Sequence, residues 1–300
     1  MNCYNGERYL REAIESVLAQ TFQNWELIFW DNQSTDQSAT ILKSYKDPRL
    51  KYFLSPEHTD LGGGRAKAFQ HLTGDFIAIL DTDDIWLPKK LEKQVPLFED
   101  PEIGIVICDT LFFNEKREKA LYGKKPPLTG CVFEKLLTNY FVSSETIVFR
   151  MSTALKLTRA FDPDFNFISD FDLVVRLCRI SKMAFCQDVL SKWRVHGESH
   201  TWKYPMKFVE EKERWIIKQI AEDLSFSKKY KKQIKIFNNS NFRDRAVFEI
   251  SYNRNRVGAF NNIIKTRFID WRDWILLVLC FIPFSNVLLS YILKRKSQSF

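Results

Sequence analysis

Three carboxylates stand within four positions of the chain, in the stretch "GDFIAILDTDDIWLPKKL" (74–91). Asp81, Asp83 and Asp84 directly follow an apolar run that reads as a buried strand. Because like charges this close repel one another and are costly to bury, such a group either lies in water as a loop or surrounds something positive. Two carboxylates in D-x-D spacing can approach one divalent cation, and their hard oxygens suit Mg²⁺ or Mn²⁺ with positions left open for phosphates.

The acidic group stands within a regular alternation of helix-like and strand-like segments. Apolar runs predict strands at "ELIFW" (26–30), "LKYFL" (50–54), "FIAIL" (76–80) and "IGIVIC" (103–108). Helices are predicted at 7–20, from about Thr35, at 62–72 and at 87–98. This alternation indicates βαβ units and a parallel sheet, in which ligands bind beyond the carboxyl ends of the strands. Both Asp31 and the acidic group fall at such ends.

Local signals add detail to these elements. Ser34 and Gln37 have capping-box spacing, which predicts the helix start near Thr35. The stretch "GGGRAKAFQHL" (62–72) is interpreted as a glycine loop entering a helix, and the lysines that follow the acidic group as a solvated helix face (Lys89, Lys90 and Lys93). Since "MNCYNGERYL" already opens a helix, we expect the strand that should precede it to be missing.

Composition narrows the possible partners. An apolar fraction of 45% and a charged fraction of 27% are those of a globular protein, and the net charge of +8 favours an anionic partner. Nucleic acid, phosphorylated small molecules and an anionic membrane surface all qualify.

The six cysteines show no C-x-x-C spacing and read as buried thiols of a reducing compartment. A zinc site at His196 and His200 lacks supporting ligands, and no secretory signal peptide opens the sequence.

Three separated stretches together resemble family 2 glycosyltransferases. They are "YNGERYLREAIESVLAQTFQNWELIFWDNQSTD", "GGGRAKAFQHLTGDFIAILDTDDIWLPKKLEKQ" and "SDFDLVVRLC", and the resemblance covers roughly residues 2–200. It is specific because several motifs occur in order with the expected spacing. The resemblance implies an α/β, Rossmann-like GT-A fold with a mostly parallel sheet flanked by helices. It also implies an inverting, metal-dependent enzyme that uses a nucleotide-diphosphate sugar.

The resemblance implies which residues bind the donor. Asp31 resembles the strand-end aspartate that contacts the nucleobase, and Tyr4 and Asn5 resemble the loop that cradles the nucleoside. Arg65 stands in the glycine-rich segment where the family usually has Arg-Asn, here followed by Ala66. These positions predict a nucleotide site at the carboxyl ends of the first strands.

The resemblance also implies which residues carry the chemistry. Asp81 and Asp83 resemble the family's D-x-D, with Asp83 the direct ligand of Mg²⁺ or Mn²⁺ and Asp81 nearer the ribose and a second candidate ligand. Asp170 falls where the family places its catalytic base. Arg194 and His196, in "KWRVHG", resemble a downstream motif near the diphosphate, with Arg194 as a donor contact and His196 as a further candidate metal ligand.

Purely structural interpretations stand beside these roles. Asp31 could cap a helix, and Arg65 could face solvent. Asp170 and Asp172 open an apolar helix, where acids stabilise the helix dipole regardless of function. His196 alone could be a structural residue.

The implied reaction adds one sugar to a growing glycan or a lipid-linked oligosaccharide at the cytosolic face of the membrane. The alternative is a non-catalytic sugar-nucleotide-binding relative, inactivated by the missing first strand. Nucleic-acid binding would explain the charge, but the sequence offers no motif for it.

The organisation along the chain predicts three parts. Residues 1–204 form the GT-A domain, with a nucleotide-sugar half over about 1–110 and an acceptor half over about 111–204; residues 205–270 are a helical extension. Residues 271–300 are an apolar segment with a basic tail. Its core, 274–293, is long enough to span a membrane, yet Pro283 and Asn286 interrupt it. We therefore expect an in-plane or re-entrant contact with an anionic inner membrane face. A helix pair packed on the protein's own core is the alternative.

Overall fold

The computed structural model describes residues 1–268, 270–282, 285–287 and 289, with the side chain of Trp202 left out. The chain divides into two compact units. The first comprises Met1–Leu136 and Tyr140–Val195, and the second begins at His196 and includes Leu137–Asn139.

Nine strands form two sheets within the first unit. Their bounds are β1 Asn2–Cys3, β2 Leu27–Asp31, β3 Leu50–Leu54, β4 Phe76–Ala78, β5 Ile85–Trp86, β6 Ile103–Phe113, β7 Glu118–Ala120, β8 Val148–Arg150 and β9 Lys182–Arg194. The first sheet has the order β1-β2-β3, and the second has the order β4-β8-β6-β9-β5, with β7 paired to β6.

The first sheet is parallel, as the βαβ pattern predicts. Strand β3 has the predicted bounds, and β2 ends one residue later than expected, at Asp31. The expectation that the first strand is missing is wrong: Asn2 and Cys3 pair in parallel with Trp30 and Asp31. A two-residue strand therefore occupies the edge of this sheet.

The second sheet is mixed, which the sequence pattern did not predict. Strand β4 pairs antiparallel with β8, and β5 pairs antiparallel with β9, whereas the long pairing of β6 with β9 is parallel. An apolar run shows that a strand is buried but not which neighbour it pairs with, so the direction of β4 could not be read from "FIAIL".

Helices pack on the sheets of the first unit. They are α1 Glu7–Leu18, α2 Ser38–Ser44, α3 Leu61–Phe69, α4 Lys90–Gln94, α5 Phe133–Thr138, α6 Met151–Ala154 and α7 Ser169–Ile180, with 3₁₀ turns at Val95–Glu99 and Ser144–Thr146. The predicted capping box is wrong, because α2 begins at Ser38 with Gln37 before it and no side-chain cap. The predicted glycine loop is also wrong, since Gly62, Gly63 and Gly64 lie within the first turn of α3.

Two apolar clusters of this unit position the strands of the site. One joins β1 and β2 to α1 and α2 through Cys3, Leu10, Ile14, Phe29, Ile41 and Leu42. The other lies under the mixed sheet and comprises Val17, Leu80, Trp86, Leu91, Phe98, Val106 and Val148. Leu80 belongs to this core, so the residue immediately before Asp81 is anchored by burial.

The described part of the second unit is helical. Its helices are α8 His200–Lys203, α9 Pro205–Glu222, α10 Phe226–Lys229, α11 Lys231–Ser251, α12 Arg256–Ile263 and α13 Trp271–Phe281, with a 3₁₀ turn at Ile264–Thr266. Helices α11, α12 and α13 share an apolar core that includes Ala246, Ile250, Ala259, Ile263, Leu276, Leu279 and Cys280. Among the described residues, no helix is long and apolar enough to cross a membrane.

Candidate active site

The loops that follow β1 and β2 are joined to each other. Because Cys3 pairs with Asp31, the two strands end side by side. Asn5, which has a left-handed backbone with φ of 53°, accepts a hydrogen bond on Oδ1 from the backbone N–H of Thr35 at 2.8 Å. Its own N–H donates to Ser34 Oγ at 3.1 Å. The predicted nucleoside loop is thus fixed to the turn after Asp31.

Asp31 is buried at this junction, with 1% of its surface exposed. Its Oδ1 accepts from the Ser34 N–H at 2.8 Å, and its Oδ2 accepts from the Tyr52 hydroxyl at 2.8 Å. Burial and the hydrogen bond to Asp31 raise the pKa of Tyr52 to about 12. The helix-cap interpretation is wrong, because Asp31 closes a turn several residues before α2 begins at Ser38.

An exposed aromatic surface lies beside this turn. Tyr4 is 51% exposed, and its ring lies 4.2 Å from the His58 ring, measured between centroids. His58 Nδ1 is 2.9 Å from the Asn32 carbonyl oxygen. The Asn32 side chain in turn donates to the Thr59 carbonyl at 2.6 Å. The two rings are tilted by 44° to each other, and the exposed Tyr4 ring offers a face on which a planar base could stack.

The acidic residues occupy a loop, residues 79–84, that joins β4 to β5; we call it the acidic loop. Its middle residue, Thr82, lies against the nucleoside loop. A Cβ atom placed on Gly6 would lie 2.9 Å from Thr82 Oγ1 and 3.1 Å from Cys3 Sγ, so only glycine allows this close approach. The predicted donor-binding loop and the D-x-D are therefore neighbours.

Arg194 fixes the shape of the acidic loop. Its N–H donates to Asp84 Oδ1 at 2.9 Å, and its Nε donates to the Asp83 carbonyl at 2.9 Å. The guanidinium also pairs with Glu12 at 2.7 Å and lies over the Tyr9 ring, 4.3 Å from its centroid. Since these bonds engage the loop backbone and a neighbouring acid, Arg194 sets the position from which the Asp83 side chain projects.

Arg65 links the D-x-D to the predicted catalytic base. Its side chain is 8% exposed, and its Nη2 lies 2.7 Å from Asp81 Oδ1. Burial disfavours its charge, but the attraction of Asp81 and then of Asp170 outweighs burial and raises the pKa of Arg65. The solvent-facing interpretation of Arg65 is therefore wrong.

The glycines of α3 allow the helix that carries Arg65 to pack closely on its neighbours. A Cβ on Gly62 would lie 2.2 Å from the Phe165 carbonyl oxygen, so the helix rests directly on the segment before α7. The Leu61 N–H donates to Asn166 Oδ1 at 2.7 Å, which satisfies an otherwise unbonded group at the helix start. Close packing, and not a phosphate loop, is what these glycines provide here.

Asp170 lies in the first turn of α7 and is partly buried. Burial raises its pKa, Arg65 acts in the opposite direction, and Asp81 adds to the rise. The Tyr140 hydroxyl donates to Asp170 Oδ2 at 3.2 Å. Its neighbour Asp172 is different: it is fully buried and accepts from Arg176 Nε at 2.7 Å, within its own helix. Asp170 is thus the acid of this turn that faces the candidate site.

Further ionisable groups are buried behind the acidic loop. Burial raises the pKa of Asp84, which has Asp83 and Glu145 nearby, and burial likewise raises the pKa of Glu145. The prediction of a solvated lysine face is wrong for Lys90, which is fully buried, donates to Gln94 Oε1 at 2.5 Å and has a pKa lowered by burial to about 8.

The donor set of the acidic loop fits a divalent cation that also binds substrate phosphates. Asp81 and Asp83 are both partly exposed, and their oxygens are hard ligands two positions apart. Arg65 holds one Asp81 oxygen, Oδ1, which leaves Oδ2 and the Asp83 carboxylate as the candidate ligands. Within the described residues, no three His, Cys, Asp or Glu side chains are grouped to hold a metal by themselves.

His196 begins the second unit and is partly buried. Its carbonyl oxygen accepts from the Ser199 N–H at 3.2 Å, within a turn that leads to α8. The proposed roles of His196, and of the other sequence-predicted site residues, remain predictions.

Sequence reasoning missed several residues of the site. Tyr52 and Tyr140 hydrogen-bond to Asp31 and Asp170 across 21 and 30 positions, and Glu145 lies behind the acidic loop. His58 contacts the ring of Tyr4. These contacts follow from strand pairing and helix packing, which no residue spacing shows.

Comparison with known sequences identifies relatives. The family model for glycosyl transferase family 2 matches residues 1–157. The uncharacterized glycosyltransferase RT0329 of Rickettsia typhi is 32% identical over 205 residues, which are 66% of this chain and 63% of that protein. The chain thus spans less than two thirds of that relative. The Escherichia coli UDP-Glc:alpha-D-GlcNAc-diphosphoundecaprenol beta-1,3-glucosyltransferase WfgD is 29% identical over 219 residues, 72% of this chain and 83% of that protein.

Solved structures share the fold. S. aureus TarS 1-349 in complex with UDP-GlcNAc aligns with a TM-score of 0.68 and 16% identity, over 99% of this chain and 90% of that chain. Mannosyltransferase PcManGT from Pyrobaculum calidifontis, in complex with GDP-Man and Mn²⁺, aligns with a TM-score of 0.62 and 15% identity, over 99% of this chain and 84% of that chain. Since the family model covers more than half of the chain, the protein belongs to glycosyl transferase family 2 and is a glycosyltransferase of the GT-A fold.

Proposed function

We propose that the protein transfers a sugar, with inversion, from a nucleotide-diphosphate sugar to a glycan or lipid-linked acceptor. The observation that carries the proposal is the buried Arg65, which is paired with Asp81 and attracted by the charge of Asp170, next to the loops of Tyr4 and Asp31. The name of the E. coli relative describes a UDP-glucose donor and a diphosphoundecaprenol-linked acceptor, which supports the same classes here. Action at the cytosolic membrane face is part of the proposal.

The donor would lie across the two groups of loops. Tyr4 and Asn5 would contact the nucleoside, and Asp31 would contact its nucleobase. Arg65 would face the diphosphate. Asp81 and Asp83 would hold Mg²⁺ or Mn²⁺, which, when bound, stabilises negative charge on the departing diphosphate. Arg194 would keep the backbone of Asp83 in place while the carboxylate binds the cation.

Asp170 would accept the proton of the acceptor hydroxyl. The new sugar–oxygen bond forms as the sugar–phosphate bond breaks, so direct displacement inverts the anomeric centre. A carboxylate with a raised pKa is a stronger base, and general-base help of this kind contributes about 10²–10⁴-fold. The bond from Tyr140 to Oδ2 orients the carboxylate and favours its ionised form.

The alternative of a non-catalytic relative depended on the missing first strand. The pairing of Asn2 and Cys3 with β2 removes that ground, and no contact in the described residues favours the alternative over an enzyme.

The first experiment is calorimetric titration of UDP, GDP and TDP, with and without Mn²⁺, on the wild type, on Asp83→Asn and on the exposed control Asp75→Asn. We expect one nucleotide to bind in a Mn²⁺-dependent way to the wild type and to the control, and the dependence to disappear in Asp83→Asn. Unchanged Mn²⁺ dependence in Asp83→Asn would refute the metal assignment. Binding of no nucleotide by the folded wild type would refute the donor site.

A further inference from the structure

Helix α13 exposes an unusually apolar face. The exposed residues are Trp271 at 70%, Trp274 at 56%, Ile275 at 49%, Val278 at 56% and Phe281 at 70%. Their spacing of three, four, seven and ten positions from Trp271 places them along one side of the helix. We call this surface the α13 stripe. Exposed apolar surface of this extent is uncommon on soluble proteins and marks contact sites.

The opposite face of α13 holds the helix firmly in the second unit. Leu276, Leu279 and Cys280 are buried against α11 and α12. Asp273 is also buried, and it accepts from Arg243 Nη1 at 3.1 Å. Asp270 caps the helix start in a capping box with Asp273. The direction in which the α13 stripe faces is therefore set by packing.

Neighbouring segments widen the exposed apolar surface. The Phe268 ring lies 4.7 Å from the Trp274 ring, and the Phe260 ring lies 5.9 Å from the Phe281 ring. Further exposed apolar side chains of the same region are Tyr252, Val257, Ile264, Ile282 and Val287. The surface has aromatic rings at both ends of α13, and amphipathic aromatic side chains favour the boundary between water and lipid.

The segment around α13 carries a net positive charge, and the α11 acids Glu249 and Asp244 lie beside Gly258 and near Arg272. Residues 252–287 contain five cations, all exposed, and two acids: the cations are Arg254, Arg256, Lys265, Arg267 and Arg272. Both acids, Asp270 and Asp273, are already bound to arginines. Across the described residues, Arg254, Arg256, Lys265 and Arg267 have no ion pair. These four cations are available to an anionic partner.

We propose that the α13 stripe lies in the plane of an anionic membrane surface, with the surrounding cations on lipid headgroups. Apolar side chains on one face and cations at its edge are the pattern of interfacial helices. The 11 residues of α13 extend about 16 Å, well short of the ~30 Å hydrocarbon core, so the helix cannot cross the bilayer. The surface belongs to the second unit and does not depend on the proposed transfer reaction.

The test is cosedimentation of the full chain with phosphatidylcholine vesicles, with and without 30% phosphatidylglycerol, in the absence of any substrate. We expect binding that requires phosphatidylglycerol and weakens as salt is added. Trp274→Asn combined with Phe281→Asn should lower the partition coefficient about tenfold or more, because two apolar side chains that would insert into lipid are lost. Lys265→Gln combined with Arg267→Gln should lower it about thirtyfold, since each cation near the surface contributes roughly 1 kcal/mol.

Matched controls use equally exposed positions elsewhere. Ile217→Asn combined with Leu155→Asn removes side chains that are each 67% exposed, and Lys46→Gln combined with Lys156→Gln removes two exposed cations. These variants should bind vesicles like the wild type, and circular dichroism should show all variants folded. Vesicle binding that is absent, or equal in stripe and control variants, would overturn the proposal. So would a wild-type dimer that only the stripe variants dissociate, since a second copy would then cover the surface.

Discussion

The two groups of loops in the candidate site hold their carboxylates in different ways. After β2, each oxygen of Asp31 accepts one hydrogen bond from an uncharged donor, the Ser34 N–H and the Tyr52 hydroxyl. Around the mixed sheet, Asp81 and Asp170 instead share the field of one buried cation, Arg65. The first arrangement fixes a geometry. In the second arrangement the charge of Arg65 offsets the charges of the two acids, and the binding of a diphosphate or a cation would change that balance.

Mutations in the two groups of loops should therefore have different consequences. A hydrogen bond from an uncharged donor to a carboxylate contributes about 1.5–3 kcal/mol, and its loss leaves the rest of the site in place. Removal of a buried cation leaves acids whose repulsion is no longer offset, which is more costly. We therefore expect large effects around Arg65 and small ones around Asp31.

The largest effect is expected at the proposed base. Asp170→Asn keeps the shape of the side chain but cannot accept the proton, so donor turnover should fall about 10²–10⁴-fold. Nucleotide affinity should stay within about twofold of the wild type. The measurement is release of nucleoside diphosphate from donor sugars, together with calorimetric affinity. Asp172→Asn is not a suitable control, because Asp172 is bound to Arg176 in the core. Turnover retained in Asp170→Asn would show that another group takes the proton.

Removal of the shared cation comes next. Arg65→Met should lower turnover by about 10²-fold, because Asp81 and Asp170 then face each other without compensation. The control is Lys67→Met on the same helix, where Lys67 pairs at the surface with Glu57 at 2.8 Å. The control should retain near-normal turnover. Equal losses in both variants would mean that the charge of α3 acts only through stability, which thermal unfolding would reveal.

A smaller and pH-dependent effect is expected at Tyr140. Its hydrogen bond favours ionised Asp170, so Tyr140→Phe should raise the pKa of Asp170 above its already raised value. Because the base must be ionised, activity is lost as pH falls through that pKa, and the acid limb of kcat/KM should move to higher pH. Turnover at alkaline pH should fall less than about tenfold.

The control for this shift is Tyr122→Phe, whose hydroxyl donates to the Phe141 carbonyl at 2.5 Å and not to an acid. Its acid limb should stay where the wild type has it. A loss of activity in Tyr140→Phe that is the same at every pH would assign Tyr140 a structural role only.

The smallest effect is expected in the nucleotide loops. Tyr52→Phe removes one of the two donors to Asp31, so the Kd of the preferred nucleotide should rise about three- to tenfold with turnover nearly unchanged. Tyr45→Phe is the control, since that hydroxyl binds Glu15 at 3.2 Å. A loss of turnover in Tyr52→Phe as large as that of Arg65→Met would erase the distinction between the two groups of loops.

The sequence predicted the elements of the fold well where apolar patterning is local. Strand β3 and helix α1 follow their apolar residues, and the acidic loop begins where a buried strand ends. Patterning says little about which strands pair. The antiparallel direction of β4 and the short β1 edge strand therefore had to come from the structure.

The candidate site shows the same limit. The motif positions identified Asp31, Asp81 and Asp170, but not the groups that bind them. Arg194 contacts Asp84 across 110 positions, a distance that only the pairing of β5 with β9 closes. The burial of Lys90 could not be predicted from its type, because lysines normally lie in water; its amine donates to Gln94 and lies 4.7 Å from the centroid of the Trp86 ring.

The acidic loop joins strands at opposite edges of a row of five, from β4 to β5. Four gaps of about 4.8 Å make that row about 19 Å wide, while the seven steps from Ala78 to Ile85 reach at most about 25 Å. The loop crosses the ends of these strands and forms a turn on the way, in which the Asp84 N–H donates to the Asp81 carbonyl oxygen at 3.3 Å. Its length is as much a part of the site as its acids. One inserted glycine would remove no side chain, yet it would give the carboxylates more conformational freedom. Donor binding would then have to order the loop at an additional cost in entropy.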